Sequence, residues 1–251
     1  MTQLQKQMEQ EPWLIKEDDS REVNTKRTFI IFCEDGAVEP AYFELFQSYT
    51  VQVSAIGNSK QHHAQIDIAT EYFRENDLLE LQADGSETLK IDEGAQVWCV
   101  YDRDKNENDQ KDTAFNDSIL TAERKGIRVA WSNDDFELWV LLHFEEVNPE
   151  DTEYCHRKKY YSRLTEILKE REPAESFVHN DQFDYYTSMK TKRRFLGCTY
   201  QYMKGQIMIA IKRANKLEEY HSRSLKPLHL QSPCTKVHHL VLELIRDKEL
   251  E

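Results

Sequence analysis

Four short apolar runs, separated by amphipathic stretches, leave residues 26–131 few folds to choose from. Lys26–Cys33 reads "KRTFIIFC", a β-branched and aromatic run suited to a buried strand. Thr50–Ile56 alternates, with Val51, Val53 and Ala55 on one side. Val97–Tyr101 and Ile127–Trp131 are the third and fourth runs. Between them lie helical patterns: Glu39–Tyr49 with Pro40 in its first turn, Gln61–Leu81, and Ala114–Arg124. Residues 82–94 read as a loop. Strand alternating with helix implies a mostly parallel four-stranded sheet with crossover helices, hence an α/β three-layer sandwich. From about Lys158 onward the pattern is helical, over Tyr160–Glu170, Tyr202–Tyr220 and Thr235–Lys248. The expected organisation is a tail over 1–25, an α/β core over 26–150, and a helical, partly basic region over 151–251.

Parallel sheets take ligands at the carboxyl ends of their strands. There the sequence is acidic. Glu34 directly follows the first strand in "FIIFCEDGAVEP", and Asp102 and Asp104 directly follow the third in "VWCVYDRDKNEND". If these two strands are neighbours, three carboxylates meet at one rim. Their repulsion and burial are costs that a divalent cation relieves. Mg²⁺ suits such a site, because it prefers oxygen ligands and is commonly shared with substrate phosphates. A solvated turn is the alternative for an isolated Asp-x-Asp.

Other constellations are excluded. Glu107 and Thr113 stand where an EF-hand loop needs Gly and Glu. No GxGxxG, GxxxxGK[ST] or GxSxG occurs. The five cysteines include no CxxC pair, so zinc is unsupported, and Cys33 and Cys99 read as core residues. The absence of a signal peptide pattern, together with free thiols, points to the cytoplasm.

The stretch "SNDDFELWVLLHFEE" begins with Ser132 and Asp135 at capping-box spacing, so a helix is expected to start at Ser132. On that helix Asn133 and Glu137 would share a face. Glu137 interrupts an apolar helix and so needs a partner: a basic side chain, a metal or a substrate. Phe136, Trp139 and Phe144 read as core. His143 reads as a core histidine satisfied by a carbonyl, or else as a substrate-positioning group.

Charge is divided unevenly. The chain carries −13 overall, but residues 1–150 hold 14 Lys+Arg against 32 Asp+Glu, and residues 151–228 hold 16 against 10. Two basic patches lie in that second stretch: "HRKKYYSR" with Lys158 and Lys159, and "KTKRR" with Arg193 and Arg194. Either is a solvated face or a contact to a nucleic-acid backbone.

Four blocks in order, "IIFCEDGAVEPAYFELF", "VWCVYDRDKNEND", "VAWSNDDFELWVLLHFE" and "SPCTKVHHLV", resemble the RloB-like family of bacteria. Its members are often encoded near restriction or phage-defence genes and carry a Toprim-like domain. The resemblance implies that Glu34, Asp102 and Asp104 bind Mg²⁺ or Mn²⁺ and perform phosphodiester hydrolysis. It also implies a nucleic-acid substrate, DNA or RNA, and an AAA-type ATPase partner. This chain departs from the family where Asp35 intervenes before Gly36, where Val38 precedes Glu39-Pro40, and at Asp134 and Ser232. Two other functions fit an Asp-x-Asp at a strand end: a nucleotide-sugar or phosphate-transfer enzyme, and a regulatory subunit whose carboxylates are structural.

Overall fold

The computed structural model describes residues 26–58, 62–104, 109–171 and 176–246. The expected tail over 1–25 lies outside them. A mostly parallel sheet runs through the middle, built from β1 (Arg27–Cys33), β2 (Val51–Gly57), β5 (Ala95–Asp102), β6 (Arg128–Asn133) and β7 (Cys234–Thr235) in the order β2-β1-β5-β6-β7. β1 pairs parallel with both β2 and β5, with Ile31 opposite Ala55 on one side and Trp98 on the other. β7 is antiparallel to β6, so the sheet has five strands where the sequence pattern suggested four. Two residues are too few to register as a strand in periodicity. They pair only because the chain returns from about a hundred residues away.

Side-chain alternation divides the sheet between two cores. Phe29, Ile31, Cys33, Trp98, Val100 and Ala130 face one side. There they meet α1 (Val38–Glu44), α4 (Glu137–Leu142), α5 (Arg157–Glu170), α6 (Ile207–Ser222) and α7 (Val237–Ile245). Phe32, Val97, Cys99, Tyr101 and Trp131 face the other side, against α2 (His62–Glu75) and α3 (Asp109–Arg124). The result is three layers. Trp139, Tyr42 and Phe43 are fully buried, each contributing on the order of 2–3 kcal/mol relative to exposure. The residues beyond 150 share one continuous core cluster with β1, β5 and α1.

Several boundaries differ from the sequence reading. The helix expected over Glu39–Tyr49 stops at Glu44, and the one expected to Leu81 stops at Glu75. Leu79–Leu81 instead forms β3, hairpinned with β4 (Glu87–Leu89) inside the presumed loop. The expected helix over Tyr202–Tyr220 is interrupted at Gly205, whose φ of +75° is the left-handed conformation that ends helices. Ser132 does not begin a helix. β6 continues through Asn133, and α4 starts at Glu137 with no side-chain cap. The Ser132 hydroxyl is 3.0 Å from that of Thr235, on the strand pair that displaced the helix start. Thr235 lies in β7, so the last helix begins at Val237.

Candidate functional site

From β1 the chain crosses through α1 to β2; from β5 it crosses through α3 to β6, in the opposite direction along the sheet. The loops leaving β1 and β5 therefore diverge and open a crevice, the place where open α/β sheets bind ligands. Glu34 and Asp102 stand at its two edges. The Glu34 amide donates to the Val100 carbonyl at 3.0 Å, prolonging the ladder by one rung. The Glu34 carboxylate accepts from the Asp102 amide at 3.2 Å. Between the two aspartates, Arg103 turns the other way, into an ion pair with Asp112 at 2.5 Å. Asp104 adopts φ +50°, a left-handed conformation that Asp tolerates better than most residues.

The crevice is a cleft of about 340 Å³ lined by six acidic side chains, Glu34, Asp35, Glu39, Asp102, Asp135 and Glu137, and by the basic side chains of Arg157 and Lys190. The acids outnumber the bases, and Glu39, Asp135 and Glu137 are buried. Burial first, and the nearby Asp104 second, push Glu34 from its ordinary 4.5 up to about 8. Burial likewise raises Asp102, with repulsion from Asp135, Glu39 and Glu34 adding to it. Glu39, 2% exposed, is raised by burial and by Asp35. Glu137 is raised by burial and by Asp135. Asp135 goes the other way: burial opposes its charge, but hydrogen bonds from Glu137 and Tyr161, with Arg157 and Lys190 nearby, hold it below the usual range.

Arg157 organises one wall. Its guanidinium lies 2.6 Å from Asp104, 2.9 Å from Asp134 and 3.1 Å from Asp135. Its Nε and Nη2 grip the Asp134 carboxylate in a two-pronged contact. Lys190 lies 3.7 Å from Glu137. Asp35 explains the extra residue in the first loop, because its carboxylate accepts from the amides of Ala37 and Val38 and so caps the entry to α1. The loop sits tightly on β2: a Cβ on Gly57 would come within 2.7 Å of backbone atoms of Asp35 and Gly36.

The structure brings Glu34, Asp102 and Glu137 into one cleft. Asp104 stands beside it in the Arg157 pair. Asn133 is elsewhere: it lies on β6, not on a helix face with Glu137, and its amide donates to the His229 carbonyl at 2.9 Å. His143 is 2% exposed in the core, its Nδ1 2.9 Å from the Trp139 carbonyl, with burial lowering its pKa to about 4. Lys159 pairs with Glu153 at 2.5 Å. Lys158 and Arg193 are exposed, and Arg194 donates to the Ser188 carbonyl at 3.1 Å and covers the Phe177 ring. The sequence reading missed Asp35, Glu39, Asp135, Arg157 and Lys190 as cleft residues. An acid heading the apolar helix "EPAYF" was the one available signal for Glu39, since such a side chain needs a partner.

A second cluster lies outside the cleft. Glu218 of α6 meets His238 Nε2 at 2.9 Å, His239 Nε2 at 2.8 Å, and Lys236. Among the described residues this is the group whose ligand atoms all come within 4.8 Å of one another, a spacing no three of the cleft carboxylates reach. Lys236 already occupies the other oxygen of Glu218, and the arrangement ties α6 to α7.

The fold and site thus define an α/β protein with an acid-rich cleft at the switch point of a parallel sheet. A family model described as RloB-like protein matches residues 29–244, and the chain belongs to the RloB-like family. No curated protein and no solved structure matches it. Among the described residues no helix is long and apolar enough to cross a membrane.

Proposed function

We propose that this protein is a metal-dependent nuclease of bacterial anti-phage defence that works with an AAA-type ATPase. One observation supports the reading above others: six acids and two bases share a single cleft at the ends of β1 and β5. An excess of buried oxygen donors fits a hard divalent cation, and the two bases fit the phosphate that such a cation is commonly shared with.

Glu34 and Asp102 would hold Mg²⁺ or Mn²⁺. Both are pushed up, by burial first and by neighbouring carboxylates second, and both would release protons on taking the ion, so affinity rises with pH. Two protein carboxylates are enough for Mg²⁺, which keeps water and phosphate oxygens in its remaining positions. Asp104 stays with Arg157 in this arrangement. When bound, the ion neutralises the scissile phosphate and lowers the pKa of a water. Lys190 and Arg157 reach the same cleft and would contact non-bridging phosphate oxygens. A hydrogen bond from Glu137, together with the nearby Arg157, favours the charged form of Asp135. Burial behind the rim, and the neighbouring Asp35, favour the uncharged form of Glu39.

The test is purified protein with Mg²⁺ or Mn²⁺ against plasmid, single strands and tRNA, with and without the ATPase, wild type beside Asp102→Asn. Metal-dependent cleavage by the wild type and its loss in the variant are expected. Equal behaviour of the two under every condition discards the reading.

A further inference from the structure

Beside the carboxylate cleft, on the surface of α5, lies a hollow of about 410 Å³ whose walls include Lys158, Tyr161, Ser162 and Tyr186. Tyr186 is half exposed, although a large aromatic ring on a surface turn gains nothing from water. Its ring centroid is 4.8 Å from that of Tyr161, and the two rings are tilted at 45°. The turn that carries it, Tyr185–Ser188, is firmly seated: Tyr185 is buried, its amide donates to Thr165 Oγ1 at 2.9 Å, and Asp184 caps the turn through the Thr187 amide at 3.1 Å. The acids around the hollow are engaged, Asp184 in that cap and Glu166 with Arg163.

Contacts between residues of the two walls join the hollow to the cleft. The Tyr161 hydroxyl donates to Asp135 of the cleft. Lys190 lines the cleft and also sits over both rings, 4.8 Å from the Tyr186 centroid and 5.6 Å from that of Tyr161. An aromatic surface with lysines at its edge, leading into a phosphate-sized site, is how single strands are held. Each unpaired base offers a face for stacking, whereas the bases of a duplex are already stacked on one another. Two lysines, Lys158 and Lys190, flank the rings, too few phosphate contacts for a large counterion-release term, so stacking has to supply much of the affinity.

We infer that Tyr186, backed by Tyr161 and flanked by Lys158 and Lys190, is a stacking platform that feeds an unpaired nucleotide strand into the carboxylate cleft. This rests on the nuclease reading and narrows its substrate to single-stranded DNA or RNA, or to loops. The test is fluorescence anisotropy with the full chain in EDTA. The probes are fluorescein-labelled DNA and RNA single strands of about 12 nucleotides and the matching duplexes. At least one single strand should bind about tenfold more tightly than its duplex. Tyr186→Leu should remove about tenfold of that affinity, and Tyr186→Phe should retain it. Duplex binding as tight as single-strand binding, a Tyr186→Leu variant equal to wild type, or no binding by the wild type would each overturn the inference. Because no metal is present, a Tyr186 effect combined with an inert Asp102 comparison would sink only the catalytic reading. The reverse result would sink only the platform.

Discussion

The cleft between β1 and β5 and the Glu218 cluster between α6 and α7 both gather ionisable side chains, and they resolve the problem in opposite ways. At Glu218 one carboxylate meets two imidazoles and a lysine, and its pKa is driven far below the usual range, first by the His238 and His239 hydrogen bonds. The cluster is satisfied from within. In the cleft, six carboxylates face two bases, and four of the six are raised. A charge imbalance kept in a buried place costs stability, so it marks a site that expects a charge from outside. The comparison also shows that close ligand spacing alone is a poor guide, since the self-satisfied cluster is the tighter of the two.

Substitutions at the two sites should therefore separate activity from stability. Asp102→Asn should cost at least about a hundredfold in metal-dependent cleavage, while its thermal midpoint in EDTA stays level or rises because one repelling carboxylate is gone. A fall in midpoint would mean that the cleft is satisfied as it stands. Glu218→Ala should do the opposite and lower stability by about 2 kcal/mol, since it strips the fully buried His238 of its partner. Cleavage per folded molecule should not change, and urea unfolding alongside the nuclease assay checks both. Gly57→Ala should cost about 1–2 kcal/mol and weaken Mn²⁺ binding by titration calorimetry, because a methyl there drives the Glu34–Pro40 loop off β2.

The last expected effect is a slope. Glu34 titrates near 8 when folded and near its ordinary 4.5 when unfolded. Between those values the folded chain holds a proton that the unfolded chain has lost, so stability falls as pH rises from about 4.5 to 8. Melting in EDTA across that window should show the decline, Glu34→Gln should reduce it, and Mn²⁺ should oppose it at the alkaline end. A midpoint that rises with pH would contradict the burial of Glu34 as described.

Much of the scaffold was legible from local pattern. Phe29–Phe32 and Val97–Tyr101 alternate onto two buried faces, and that periodicity is written in consecutive residues. Glu34 and Asp102 could be read as rim residues because each follows its strand directly. The capping-box reading at Ser132 failed for a physical reason. Ser and Asp at that spacing compete between capping a helix and ending a strand, and pairing with Cys234–Thr235 decided the matter. Asn133 was misplaced with it. Arg157 was visible only as one residue of a basic run. Its engagement with Asp104, Asp134 and Asp135 depends on α5 docking beside the end of β6.

By itself the amino-acid order determined the strand and helix alternation, the two-sided sheet, and the two acidic strand ends, because each depends on neighbours within a few residues. The tertiary fold alone decided which strands lie side by side, which acids join Glu34 and Asp102, and where Arg157 and Lys190 stand against them. Those outcomes depend on contacts between segments far apart in the chain, and the electrostatic field of the cleft exists only once burial has removed the water that would screen it.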